Sequence, residues 1–309
     1  MADNELLAGR YAFRQELGRG ASGRVILAAD TAARDELRAI KLVSEQQAVR
    51  LRWEFRLLLG IAHPNVARVF ELLRIEPGSS AFAAAPGTVA LVQEYAPGRA
   101  ADQVARSLVR DGDALLVLAL QVGEAVARAL GAIHAQGLVH GDVKPGNIVV
   151  ADEVTTGEDR SVKLIDLDLA RPPGAAAALS GTPAFMAPEV WRGELGPAAD
   201  LYSLGATLAR LLAGAAAEAE GFTARTGAPD LLGYLRRSLD EPGNKAPLPD
   251  WVPAPVRRLV HELLDADPDR RPSSAGQVAA RFGALRTELC GRPGGRRARA
   301  ALGQPERSA

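Results

Sequence analysis

The chain has 309 residues, 47% of them hydrophobic and 24% charged, and its 37 basic and 37 acidic side chains cancel. That length can bury one large core or two lobes without covalent staples, and the neutral balance argues against a general nucleic-acid binder. Cys290 is the single cysteine, so neither a disulfide framework nor a zinc cluster can form within the chain.

Residues 1–10 read as an N-terminal extension. Their start, Met1-Ala-Asp-Asn-Glu, lacks the basic and then apolar run of a signal peptide, and a reducing cytoplasm is the expected compartment. Residues 11–94 alternate short apolar runs with turn residues. Val25–Ala28, Ala39–Val43, Val66–Phe70 and Val89–Gln93 are predicted strands. A helical segment, Gln46–Ile61, separates the second from the third. Glu94-Tyr-Ala-Pro-Gly98 ends the last strand and reads as a hinge.

Residues 95–289 read as the hinge and a second lobe, in which the apolar period becomes 3.6 from residue 100. Helices are predicted over Ala114–Gln136, Pro197–Ala213, Pro229–Leu239, Pro255–Leu264 and Ser274–Leu289, several of them opening on Pro or just after Ser or Asp. The most apolar stretch, Ala114–Ile133, is interrupted by Gln121, Glu124 and Arg128, so it reads as a core helix and no membrane segment is expected. Glu76–Gly87 and Ala151–Ser161 look like insertions. Residues 290–309 form a basic tail, with five arginines and one glutamate after Cys290, expected to be disordered. The fold class is therefore α+β, with a small β-rich lobe carrying one helix and a larger, mainly helical lobe.

Four motifs carry chemistry. Gly18-Arg-Gly-Ala-Ser-Gly23 joins two predicted strands, and glycines let backbone N–H groups approach phosphate oxygens. The element that follows is a strand, which disfavours a dinucleotide fold. Lys41 lies in an apolar strand. His140-Gly-Asp-Val-Lys-Pro-Gly-Asn147 sets Asp142, Lys144 and Asn147 at fixed offsets, and Asp166 follows in Lys-Leu-Ile-Asp-Leu-Asp168. Phosphoryl transfer needs such a set: a carboxylate for the acceptor hydroxyl, a cation for the migrating group, and an amide with a carboxylate for Mg²⁺.

These motifs resemble those of bacterial eukaryotic-like serine/threonine protein kinases, over roughly residues 11–285. The resemblance implies a bilobal fold with ATP between the lobes. It also implies Asp142 as catalytic aspartate, assisted by Lys144, Lys41, Glu54 and Thr182. Lys41 would contact the α- and β-phosphates and pair with Glu54, with Glu45 as the fallback. Gly18, Gly20, Ser22 and Gly23 would cover the phosphates. Val25, Ala39 and Ile148 would sandwich the adenine, whose edge meets the backbone of Glu94 and Ala96 behind Gln93. Asn147 and Asp166 would hold Mg²⁺, or Mn²⁺ in its place, and Asp168 is a further candidate ligand. Ser180-Gly-Thr-Pro-Ala-Phe-Met-Ala-Pro-Glu189 resembles a peptide-substrate platform, in which Thr182 would bond Asp142 and Lys144 and Glu189 would pair with Arg271. Asp200 would tie down the catalytic loop. The implied partner is a protein substrate offering a Ser or Thr hydroxyl.

Two departures stand out. Gly141 replaces the family's usual arginine, and Asp166-Leu-Asp168 stands where Asp-Phe-Gly is usual. Without that arginine, a phosphorylated activation loop loses its main cation, so activity independent of loop phosphorylation is expected. Both departures also fit a small-molecule phosphotransferase of aminoglycoside or choline type, or a non-catalytic scaffold, and those alternatives stay open on sequence alone.

Overall fold

The computed structural model describes residues 6–20, 23–44, 55–75, 88–152, 162–167, 169–174, 181–213 and 248–290. The chain forms two compact units, residues 1–96 and 97–309.

The first unit is an antiparallel sheet of six strands, β1 (Leu6–Leu7), β2 (Tyr11–Gly20), β3 (Gly23–Asp30), β4 (Glu36–Val43), β5 (Val69–Arg74) and β6 (Val89–Glu94), in the order β1-β2-β3-β4-β6-β5. Side chains two apart share a face of a strand, and the register sets Ile26 beside Ile40 and Ile40 beside Val92. These three, with Tyr11, Ala28, Leu42 and Ala90, make the core of the unit. Of the expected Gln46–Ile61 helix, residues 55–61 are described: 55–59 are helical, and the chain turns at Gly60, before the expected end. The expected strand at Val66–Phe70 instead begins at Val69 and continues to Arg74. At Asn65 and Val66 the chain is still turning: the Val66 N–H donates to the His63 carbonyl at 3.0 Å and the Asn65 N–H to His63 Nδ1 at 3.1 Å.

A buried carboxylate fastens one end of this sheet. Asp30 is fully buried and receives the Arg10 guanidinium as a fork, at 2.6 and 2.7 Å. Arg10 also reaches Glu71 at 3.0 Å, and the Tyr11 hydroxyl donates to the same glutamate. The fork therefore joins β3 to β5 across the start of β2.

The second unit is mainly helical: α1 (Ala101–Ser107), α2 (Gly112–Ala135), α3 (Pro197–Ala213), α4 (Ala254–Leu263) and α5 (Ala275–Cys290). Three short strands, β7 (Arg99–Ala100), β8 (Ile148–Val150) and β9 (Val162–Leu164), pair antiparallel in that order. The Asp111 side chain caps α2 by accepting from the Ala114 N–H at 2.9 Å, and Ser274 does the same ahead of α5 for the Gln277 N–H at 3.2 Å. Although α2 is long and apolar enough to cross a membrane, most of it is buried inside the unit. Glycines let the helices close on one another. A Cβ on Gly123 of α2 would lie 2.9 Å from the Phe282 ring of α5, and one on Gly205 of α3 would lie 2.8 Å from Leu263 Cβ of α4.

Helix α1 and strands β7 to β9 were not expected from the sequence, because seven residues or fewer carry too little periodicity to separate helix from strand. The expected helix at Pro229–Leu239, the insertion Glu76–Gly87, most of Ala151–Ser161, and the tail beyond Cys290 lie outside the described residues.

The Arg10 fork holds the Asp30 carboxyl below its usual range. A depressed folded-state pKa stabilises the fold above the ordinary carboxylate range and ceases to do so as pH falls through the folded value. Asp30→Asn should therefore lower the melting temperature at pH 7, and the gap to the parent protein should close below about pH 4, as followed by calorimetry across a pH series.

Candidate active site

The loop between α2 and β8 is shaped by its two ends. Gly137, at φ +70°, ends α2 in the left-handed conformation that glycine adopts without strain. Val139 then exchanges two backbone hydrogen bonds with Arg171, at 2.8 and 3.0 Å. At the far end, the turn Pro145–Asn147 leads directly into β8.

Between those ends the loop is held from below by α3. Both oxygens of Asp200 accept from it: Oδ2 takes the His140 N–H at 2.8 Å and Oδ1 the Gly141 N–H at 2.9 Å. His134, in the last turn of α2, approaches the same Oδ2 with its Nε2 at 2.9 Å. Asp200 is 1% exposed, so these bonds are made away from water, where charge-assisted hydrogen bonds are strongest. The buried His140 ring has a defined tautomer. Nδ1 accepts from the Asp142 N–H at 3.2 Å, so the proton sits on Nε2, which donates to the Ile165 carbonyl at 3.2 Å.

The carboxylate of Asp142 is the hub above this base. Oδ1 accepts from both the N–H and the hydroxyl of Thr182, each at 2.9 Å. Oδ2 accepts from Lys144 Nζ at 2.6 Å and from Asn147 Nδ2 at 3.0 Å. Lys144 also donates to Thr182 Oγ1 at 2.9 Å, so the Thr182 hydroxyl receives from the ammonium and passes its own proton on to the carboxylate. A carboxylate offers about four lone-pair sites, and all are engaged.

Asn147 donates a second bond to the Asp142 carbonyl at 2.9 Å. With its NH₂ committed to Asp142, its amide oxygen is turned the other way. The Asn147 carbonyl accepts from the Ile165 N–H at 2.9 Å, which brings Asp166 in as the next residue along. Asp166 has φ +68°, one of four described non-glycine residues with positive φ. Aspartate tolerates this region better than most residues, and strain of this kind gathers at functional sites. An amide oxygen and a carboxylate are the hard oxygen donors that Mg²⁺ accepts while keeping waters and phosphate oxygens as its other ligands. The described residues contain no cluster of three or more acidic, His or Cys side chains that could hold a metal by themselves.

Gly141 has φ +77°, and a Cβ there would meet the Leu169 carbonyl at 3.4 Å. Room for a side chain therefore exists, but a non-glycine residue would incur about 1–2 kcal/mol of left-handed strain. Gly181 faces it, also at positive φ, and a Cβ on Gly181 would come within 2.9 Å of the Gly141 carbonyl. The two glycines let the loop and the Gly181–Glu189 segment approach backbone to backbone. That segment is fixed at its end by the buried pair Glu189–Arg271, two-pronged at 2.5 and 2.7 Å. Arg271 also donates to the carbonyls of Asp265 and Ala198 and lies over the Tyr202 ring.

In the first unit, Gly18 and Gly20 lie on β2 and Gly23 and Val25 on β3, in one hairpin. Gly23 has φ +124°, and a Cβ on it would strike the Leu42 carbonyl at 2.2 Å, so only glycine fits. Gly18 faces open space. Lys41 on β4 is 2% exposed and sits between Val25 and Leu91 in the register; Ala39, two residues earlier, is buried and pairs with Gln93. The Glu94 N–H donates to the Arg68 carbonyl at 2.7 Å. Ala96 closes the unit. Ile148 is fully buried at the start of β8 in the second unit. Glu45, Glu54, Ser22, Asp168 and Ser180 lie outside the described residues.

Sequence reasoning gave no role to His134, His140, Ser203 or Thr207. Ser203 Oγ reaches the Phe185 carbonyl at 2.7 Å and Thr207 Oγ1 the Val143 carbonyl at 3.4 Å. A readable signal did exist: Asp200, Ser203 and Thr207 recur at i, i+3 and i+7, a polar stripe on a mostly apolar helix.

A β-rich unit followed by a helical one carrying this loop is the architecture of a protein kinase. The family model of that domain matches residues 11–282, and the chain belongs to the protein kinase domain family. It is 33% identical over 296 residues to the serine/threonine-protein kinase PknA of Mycobacterium tuberculosis, covering 91% of this chain and 62% of PknA. It is 32% identical to CBL-interacting protein kinase 4 of rice, over 86% of this chain and 56% of that one, and 28% identical to the kinase pkn2 of Myxococcus xanthus, over 93% and 34%. The chain thus spans about three fifths of the length of the mycobacterial relatives it matches.

Breaking the Glu189–Arg271 pair from one side strands a buried charge. Arg271→Met should destabilise the helical unit by about 3–5 kcal/mol, whereas Glu189→Gln combined with Arg271→Met should recover much of the loss. Urea unfolding followed by far-ultraviolet circular dichroism measures both.

Proposed function

We propose that the protein is an ATP- and Mg²⁺-dependent serine/threonine protein kinase. The observation that carries this reading is the shared contact of Thr182 and Lys144 with the Asp142 carboxylate. It couples the catalytic loop to the Gly181–Glu189 segment, a peptide platform that transfer to a small molecule would not require.

In this reading the acceptor hydroxyl takes the place of one of the donors now on Asp142 and is oriented by that carboxylate. Its oxygen bonds to the γ-phosphorus of ATP, and the bond from that phosphorus to the β,γ-bridging oxygen breaks. The electron pair departs on ADP, and the hydroxyl proton passes to the Asp142 carboxylate. Lys144 offsets the charge gathering on the transferred oxygens. Because little covalent work falls to the protein, rate comes from positioning and charge neutralisation. Asn147 and Asp166 are the residues that would hold Mg²⁺, which supplies charge neutralisation on the phosphates when bound. Asp168 is a further candidate ligand, and a tolerated turn residue is the other reading of that position. In the β-rich unit, Lys41 and the backbone of Gly18–Gly23 are assigned to the phosphates, and the Glu94 carbonyl with the Ala96 backbone to the adenine edge. Lys41 pairs with Glu54 in this reading. Val25, Ala39 and Ile148 supply apolar contacts to the base. The compartment proposed is the cytoplasm.

Regulation is proposed to be unusual. Gly141 stands where the family's usual arginine would receive a phosphorylated loop, so the chain offers no cation there. Loop phosphorylation is then not needed for basal turnover.

Incubation with radiolabelled ATP, a generic protein substrate and an aminoglycoside panel tests the reading. Label should enter protein Ser and Thr and no aminoglycoside, and Asp142→Asn should cut the rate by at least about a hundredfold. Label confined to the small molecules, or nucleotide binding without transfer, would overturn it. In the same assay Ser180→Ala should retain most of the parent rate, and its loss would refute independence from loop phosphorylation.

A further inference from the structure

The polar stripe on α3 divides its labour: Asp200 holds the loop that carries Asp142, and Ser203 touches the Gly181–Glu189 segment. The Ser203 hydroxyl, 8% exposed, stands 2.7 Å from the Phe185 carbonyl and 3.0 Å from the Ala199 carbonyl one turn back on its own helix. A serine inside a helix ordinarily returns its single proton to the i−4 carbonyl. Here the shorter contact leads out of the helix, into the turn Pro183–Phe185. Among the described residues no second donor reaches the Phe185 carbonyl. That turn is anchored on its other side by Thr182 on Asp142. Beyond it, the next side-chain anchor is Glu189 on Arg271.

We propose that Ser203 is a positioning residue for the protein substrate: its hydroxyl fixes the backbone of the Thr182–Met186 turn through the Phe185 carbonyl, and so sets the surface on which the acceptor peptide lies. The assignment rests on the protein-kinase reading above. It gives Ser203 a task separable from that of Asp200. Asp200 sets the loop that carries Asp142, so its loss falls on the rate of transfer. Among the described residues the Ser203 hydroxyl bonds to the Phe185 and Ala199 carbonyls and to none of the loop, so its loss falls on the peptide.

The test compares Ser203→Ala, which removes only the hydroxyl, with Ser203→Thr, which keeps it. Ser203→Ala should raise KM for a peptide substrate by roughly tenfold, the size of one lost buried hydrogen bond. Its kcat should change by less than about twofold, with KM for ATP unaltered, and Ser203→Thr should restore most of the peptide KM. Hydrogen–deuterium exchange over residues 181–190 reads the tether without reference to activity: the Phe185 and Met186 amides should exchange faster in Ser203→Ala than in the parent. Unchanged exchange there, or a fall in kcat and ATP affinity matching the peptide effect, would overturn the proposal. A parent protein that phosphorylates no peptide would sink the kinase reading instead, and the exchange measurement would still decide whether Ser203 tethers the turn.

Discussion

Everything in the helical unit that bears on chemistry is arranged around one carboxylate. Asp142 accepts two hydrogen bonds from Thr182, one from Lys144 and one from Asn147. Those donors come from two separate stretches of chain, so a single charge fixes the loop between α2 and β8, the turn into β8 and the Gly181–Glu189 segment together. Such a network has high stakes. Fully satisfied it rigidifies the site, and one missing donor leaves a buried charge under-solvated.

The hub is itself supported by buried polar groups deeper in the fold. Asp200 takes two backbone N–H groups and the His134 ring; His140 links the Asp142 N–H to the Ile165 carbonyl; Glu189 and Arg271 close a two-pronged pair on the far side. Ion pairs and polar contacts of this kind contribute little net stability compared with apolar packing, because desolvation offsets attraction. Their value lies in geometry: each side chain has one arrangement that satisfies its partners. The apolar packing that allows this comes from close helix contacts at Gly123 and Gly205, which bring α2, α3, α4 and α5 together.

Much of this was legible in the chain. Asp142, Lys144 and Thr182 meet as their motifs imply, and the Glu189–Arg271 pair and the Asp200 tie formed as expected, because each rests on a residue type whose chemistry leaves few alternatives. The hairpin carrying Gly18 to Gly23 was readable for a similar reason: at Gly23 a side chain would collide with the Leu42 carbonyl. Other features were hidden for physical reasons. Strand β5 starts three residues late because the His63–Val66 turn consumes the apolar residues that suggested a strand. Helix α1 and the three short strands are too brief to carry a period. The polar stripe on α3 marks Ser203, but not its partner, a backbone carbonyl 18 residues away that the fold brings near. Gly141 reads as a loss in the sequence. In the fold it sits at a left-handed position that glycine occupies without strain, facing Gly181.

The central claim is that the Asp142 carboxylate and Thr182 act as one unit, and a double-mutant cycle tests it most directly. Asp142→Asn, Thr182→Val and the double variant would be compared by urea unfolding of the helical unit. The account predicts that the two losses fall short of additivity by more than about 1 kcal/mol, since either change breaks the same bonds. Losses that sum to within about 0.5 kcal/mol would mean that the two residues stand independently, and would contradict it.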